Sequence, residues 1–374
     1  MKKLLLCLSV LLNISSLAIL PNDPAIHWDS NTRLPLSSNP STYFRDEYCW
    51  YFNNEHINTH VYNSLNQVQL QFDEPIGDSN IHVQEAWDII REVTNTIIAV
   101  IDYGFDLYHE DLINNTYLPG IYFDAFGNAN QDLSDGSGHG TMVMSVLAAN
   151  GNNNIGTCGI LWKAKILPIK ITTRGYQWAL AINYAIDNGA DIINISDSTD
   201  GKPETLAALQ RARDNGIIVV CAAPNSNVNL DTTIDYPSAW NLDNVIIVSS
   251  STRAEVPYSA AAYGANSVDL FAPGRLIVAC WPGNSYRYTS GVSFATSIVS
   301  GSCALIKELY PYLTYQQIIY QLLSSVDQYP SYYNKCISGG RLNVYKSILP
   351  LFIPEDQIIR PQLMKEDENN TYNE

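Results

Sequence analysis

A three-layer α/β/α domain with a mainly parallel central sheet is the fold class this sequence predicts, and three observations predict it. Short β-branched runs recur at Thr96–Ile101, Lys165–Ile171, Asp191–Ile195, Ile217–Ala222 and Val245–Ser249. Helix-period segments lie between or beside them: Val83–Ile90, Met142–Ala149, Ala179–Asn188, Glu204–Asn215, Phe294–Leu309 and Tyr315–Ser325. The strand runs are continuously apolar instead of alternating, as strands covered on both faces are. Strands alternating with helices build parallel sheets, and ligands then bind at the carboxyl ends of the strands. The chain has 374 residues, 46% of them hydrophobic, which is ample for such a core.

The elements follow in chain order. Lys2-Lys3, the apolar run Leu4 to Leu12 and the small residues of Ser16-Leu17-Ala18 form a secretory leader, residues 1–18. The run is too short to span a bilayer. Residues 19–41, rich in Pro, Asn and Ser, read as a linker or short pro-segment. The main folded domain is expected over 42–350. Residues 351–374 carry Glu355, Asp356, Glu366, Asp367, Glu368 and Glu374 against Arg360 and Lys365, and read as an acidic, disordered tail. The formal charge of −16 argues against nucleic acid or an anionic membrane surface as partner. Export makes at least one disulfide the expectation among Cys49, Cys158, Cys221, Cys280, Cys303 and Cys336. Cys221 and Cys303, in apolar segments, read equally well as buried thiols. The absence of a Cys-x-x-Cys pair argues against zinc.

Chemistry concentrates where strands end. Gly291-Val292-Ser293-Phe294-Ala295-Thr296 places a serine among small residues at the start of an apolar helix. Unpaired N–H groups and the positive end of the helix dipole favour negative charge forming there, as acyl transfer requires. By itself the hexapeptide favours a plain helix cap. Asp102 ends the first strand, where it can orient an imidazole or form a turn. His139, in Asp135-Gly136-Ser137-Gly138-His139-Gly140-Thr141, is packed among glycines, so its ring can face a cleft. Asn225 follows the strand ending at Ala222, where its amide can donate to an oxyanion or cap a turn.

Together Asp102, His139, Asn225 and Ser293 resemble, in order and spacing, the subtilisin-like serine peptidases. Ala-Val-Ile-Asp-Tyr-Gly, Gly-His-Gly-Thr and Gly-Val-Ser-Phe-Ala-Thr carry the resemblance, with Asn153-Asn154-Ile155-Gly156, Asp235-Tyr236-Pro237, Leu270-Phe271-Ala272-Pro273-Gly274 and Trp281-Pro282-Gly283-Asn284 as further landmarks. It covers about Glu74 to Leu323. Cys49-Trp50-Tyr51-Phe52-Asn53-Asn54 is similar to the N-terminal extension of kexin-like members. The resemblance implies a subtilisin-like fold and a serine endopeptidase acting on polypeptides. Ser293 is then the nucleophile, His139 the base, Asp102 its orienting carboxylate and Asn225 an oxyanion donor.

The same resemblance implies departures. Val292 stands where the family usually has Thr, losing a hydroxyl worth about 1 kcal/mol in the transition state. Ser297 replaces a Pro, and Pro224 replaces the Gly before the oxyanion Asn, removing an N–H. Ser196-Asp197-Ser198-Thr199 replaces the Ser-Leu-Gly-Gly edge that pairs with substrate. Ser198 narrows the primary pocket, and Asp197 either favours basic residues or points to solvent. Thr172-Thr173-Arg174-Gly175-Tyr176 is short where the second substrate edge normally sits. Too few residues lie between Ala18 and Tyr43 for a folded pro-domain.

No cofactor is required for the chemistry. Asp111, Asn153, Ile155 and Thr157 match a family calcium loop, whose oxygens suit a hard cation, and a capped loop without metal fits them equally. A cis bond at Tyr236–Pro237 is a further expectation from the family. The reading is an exported, monomeric serine endopeptidase. A catalytically weak or inactive domain serving as a binding or scaffold protein is the alternative. The reshaped edge and Val292 favour that alternative, and the four retained catalytic residues speak against it. An esterase or peptide ligase would use the same triad with another acyl acceptor.

Overall fold

The computed structural model describes residues 80–172 and 177–350, with the backbone of two short antiparallel strands, His60–Tyr62 and Val68–Gln71. The expected leader, linker, acidic tail and Cys49, and most of the 172–176 segment, lie outside the described residues.

The strands at the centre are β1 (Glu92–Asp102), β2 (Ile121–Phe123), β3 (Lys163–Ile171), β4 (Ile192–Ile195), β5 (Ile218–Ala222), β6 (Val245–Ser251) and β7 (Leu270–Pro273). They lie in the order β7-β6-β5-β4-β1-β3-β2, every neighbouring pair parallel, with short strands extending the edges. A hairpin of β8 (Ile277–Trp281) and β9 (Ser285–Thr289) stands apart.

Strand alternation divides the core in two. Ile98, Val100, Ile192, Val220, Ile246 and Val248 face one side. Helices α1 (Val83–Trp87), α2 (His139–Ala148), α5 (Val292–Leu309), α6 (Tyr315–Ser324) and α7 (Val344–Ile348) supply residues to that core. Ala99, Ile101, Ile193, Ile195, Val219 and Cys221 face the other side, against α3 (Gln177–Asp187) and α4 (Pro203–Asp214). This is the expected three-layer arrangement, with element ends shifted by a few residues.

Helix α5 is long and apolar enough to cross a membrane, but every residue from Val292 to Ile306 is buried within the domain. Its hydroxyls are satisfied internally: Thr296, Ser297 and Ser302 donate to the carbonyls four residues back, at 3.0, 3.1 and 2.9 Å. Tyr236–Pro237 is cis, as expected. The expected disulfide is corrected in part. No bridge joins two described cysteines, and Cys221, Cys280, Cys303 and Cys336 are buried thiols. Cys221 and Cys303 sit in apolar packing, which favours a thiol behaving as a small hydrophobe, while Sγ of Cys280 lies 3.9 Å from Asp111 Oδ2 and Sγ of Cys336 3.8 Å from the Gly340 carbonyl.

Strand order reverses direction around β1: the chain first adds β3 and β2 on one side, then β4 to β7 on the other. A crevice at the carboxyl ends of β1 and β4 is the consequence.

Candidate active site

Asp102 is the last residue of β1, in register with Lys170 of β3. Its side chain is 2% exposed, and its Oδ1 accepts from the Tyr103 N–H at 2.7 Å. The same oxygen lies 2.7 Å from Nδ1 of His139.

His139 opens α2, and the loop before it is set by Asp135. Oδ1 of Asp135 accepts from the N–H groups of Ser137 and Gly138, at 2.9 and 2.6 Å. Its Oδ2 accepts from the N–H and hydroxyl of Thr141, at 3.0 and 2.6 Å. A carboxylate that satisfies first-turn donors fixes where the helix starts. Two glycines make room. Gly138 has φ 77°, and a Cβ there would fall 2.3 Å from the Trp281 ring. A Cβ on Gly140 would fall 2.2 Å from the Gly104 carbonyl oxygen.

Ser293 is the second residue of α5 and is 5% exposed. Its Oγ lies 3.1 Å from His139 Nε2 and 3.0 Å from the Ser196 carbonyl oxygen. The hydroxyl has one proton, so a neutral imidazole can take it as the oxygen turns toward a carbonyl carbon. Asn225 follows β5 and is exposed. Its Oδ1 accepts the Val292 N–H at 2.9 Å, which leaves Nδ2 as the amide's donor group. Nδ2 and the Ser293 N–H at the helix start are two donors of the kind that can hold an oxyanion.

Burial pulls the His139 pKa down, but the charge and hydrogen bond of Asp102, then Asp197 and Asp135, outweigh it and hold the pKa above the ordinary 6.5. Only the neutral ring can accept a proton, so a kcat/KM that depends on His139 as base falls as pH drops through this raised value. We expect the acid limb of the pH profile to have its midpoint above 6.5, and Asp197→Asn to move it lower.

The family model described as "Subtilase family" matches residues 94–339. The chain is 35% identical over 242 residues to the major intracellular serine protease of Bacillus subtilis, covering 62% of this chain and 75% of that one. It is 30% identical over 279 residues to thermitase of Thermoactinomyces vulgaris, covering 73% of this chain and 95% of that protein. A solved protease from Pseudoalteromonas arctica superposes with a TM-score of 0.66 at 25% identity, over 88% of this chain and 99% of that one. This chain belongs to the subtilase family. It is a hydrolase, a subtilisin-like serine endopeptidase acting on polypeptides.

In this subtilase the segment after β4, the expected substrate edge, is held in place by its own side chains. Asp197 does not simply point to solvent: its Oδ2 accepts from the Tyr103 hydroxyl, and its Oδ1 from the Ser198 N–H at 2.8 Å. Ser198 is buried, and Pro224 accepts the Ala262 N–H at 3.0 Å.

Sequence reasoning missed Asn194 as part of this site. Its Nδ2 donates to Ser196 Oγ at 3.0 Å, and its Oδ1 accepts from Ser300 of α5 at 2.8 Å. Ser196 Oγ in turn donates to the Ser293 carbonyl at 2.9 Å. This buried chain ties the segment after β4 to helix α5, which carries Ser293. Its signal was a polar residue inside an otherwise apolar strand, Ile192-Ile193-Asn194-Ile195.

The four calcium-loop residues do meet, but as hydrogen-bonded partners. Asp111 is fully buried; its Oδ1 accepts from Asn153 Nδ2 at 2.8 Å and its Oδ2 from the Thr157 N–H at 2.9 Å. Asn153 Oδ1 accepts the Ile155 N–H at 2.8 Å, so turning the amide over would set two donors against each other. A calcium ion needs six to eight oxygens. The groups turned to the Asp111 carboxylate include the N–H donors of Asn153 and Thr157 and the Cys280 thiol at 3.9 Å, hydrogen donors that do not fit that ion.

Proposed function

We propose that this subtilase is an active, exported endopeptidase using Ser293, His139 and Asp102. The observation carrying this reading is the continuous chain Asp102 Oδ1–His139–Ser293 Oγ, with links of 2.7 and 3.1 Å. Ser293 Oγ attacks the scissile carbonyl carbon, and His139 Nε2 takes its proton. The tetrahedral oxyanion is held by the Ser293 N–H and the Asn225 amide. The C–N bond then breaks, and His139 returns the proton to the leaving amine. Water, activated by the same imidazole, hydrolyses the acyl-enzyme and regenerates the serine. Asp102 holds the imidazole tautomer and stabilises its cation.

The substrate lies along Ser196–Ser198, with its primary side chain between this edge and the segment 222–225. Ser198 makes that pocket shallow and Pro224 stiffens its far wall. The export reading rests on the leader residues 1–18, since one relative is named as intracellular. The chain works as a monomer with no membrane attachment once the leader is cut.

A fluorophosphonate probe tests the reading. It should label the mature protein, with the adduct on Ser293, and leave Ser293→Ala unlabelled. No labelling of a folded wild type would overturn the active-enzyme reading and favour a binding role.

The loop around Asp111 is closed without calcium in this reading, and its donor set supports that. We expect the same Tm in calcium and in EDTA. An ion bound at a hundred times its Kd would add about 2.7 kcal/mol, or roughly 5 °C.

A further inference from the structure

The hairpin β8–β9 runs directly into the nucleophile's turn, Ser290-Gly291-Val292-Ser293. Its register pairs Trp281 with Ser285, Ala279 with Arg287 and Ile277 with Thr289. Trp281 and Arg287 are therefore diagonal neighbours on one face. On that face the Trp281 ring lies where a side chain on Gly138 would have to be, next to His139. The Arg287 guanidinium carbon sits 3.5 Å from the centroid of the same ring. Arg287 is exposed, and no carboxylate pairs with it among the described residues. The nearby acids are engaged by other donors: Asp106 accepts the Gly283 N–H, Glu110 the Tyr286 hydroxyl, and Asp135 the loop before His139.

An extended peptide attacked at Ser293 leaves the site on two opposite sides. Its acyl half lies on the edge after β4 and against Asn225. Its leaving half must then pass on the far side of His139, where α2 begins and the hairpin packs. A guanidinium held flat on an aromatic ring loses little freedom on binding, and presents its edge for two-point contact with a carboxylate.

We propose that Trp281 and Arg287 form a leaving-group subsite that recognises a carboxylate within the first three residues after the scissile bond. The proposal rests on the peptidase reading above. The carboxylate is either an Asp or Glu side chain or the terminal carboxylate of a short leaving peptide.

The test uses quenched-fluorescent peptides with one fixed acyl half and amidated ends. The leaving half carries Asp or Glu, Asn or Gln, or Lys at each of its first three positions. A second set ends two residues after the bond, as free acid or as amide, and separates the two carboxylate sources. For wild type we expect kcat/KM to favour a carboxylate over its amide by about 2- to 5-fold, the range of an exposed charge pair, and the preference to fade at high salt. Arg287→Gln should abolish the preference and Arg287→Glu should reverse it toward Lys. A general loss of structure would lower all the rates without inverting their order. If wild type cleaves the set with no regard to charge, or Arg287→Glu keeps the wild-type order, the subsite is overturned. If wild type cleaves none, the peptidase reading fails and the subsite with it.

Discussion

Ser293→Ala should lower kcat by about 10⁶, the size known for the same deletion in subtilisin itself. In this reading the hydroxyl, 3.1 Å from His139 Nε2, is the group that forms the acyl-enzyme. The fold should survive the change. Ser293 is buried, but its main chain stays fixed at the start of α5, where its carbonyl accepts from Ser196 and Ser297 at 2.9 and 3.1 Å. The oxyanion donors, the Ser293 N–H and Asn225, also remain. A residual rate of about 10³ over water is therefore expected from the hole and binding alone. The measurement is kcat on a peptide substrate, with Tm recorded beside it. A variant within tenfold of wild type would remove Ser293 from the mechanism.

Asp102→Asn should lower kcat by about 10⁴. The carboxylate accepts the Nδ1 proton of His139 and so leaves Nε2 bare to face Ser293. An amide in its place can donate to Nδ1 instead. That puts the imidazole proton on Nε2, where it cannot take the serine's. The change is nearly isosteric and buried, so geometry should hold and the loss should appear in kcat more than KM. It should also pull the acid limb of the pH profile down, because Asp102 is the largest of the charges raising His139. An unchanged pH profile with a large rise in KM would instead assign Asp102 a structural role.

The four candidate site residues were legible as a set because each stands at the tip of a strand or the start of a helix, in a local sequence that fixes it there. Asp102 closes an apolar run, Asn225 follows one, His139 is framed by glycines, and Ser293 opens a helix. Burial on both sheet faces shows as uninterrupted hydrophobicity, so the parallel strands were legible too. The hairpin β8–β9 was not among the expected elements. Its buried and half-buried residues have no clean alternation, since one face packs on α2 and the other borders the site. Asn194 read as part of a core strand because its partners, Ser196 and Ser300, are separated by more than a hundred residues.

The sequence by itself determined the layer order, the placement of Asp102, His139 and Ser293 at element ends and the family, because these depend on local periodicity and on side-chain types at element ends. The tertiary structure alone decided three things. It turned Asp197 toward Tyr103, aimed N–H donors at Asp111 and laid Arg287 on Trp281 beside His139. Each of these is a direction taken by a side chain toward a partner distant in sequence or across a strand pair. Residue type and spacing leave such a direction open, and only packing fixes which rotamer is filled.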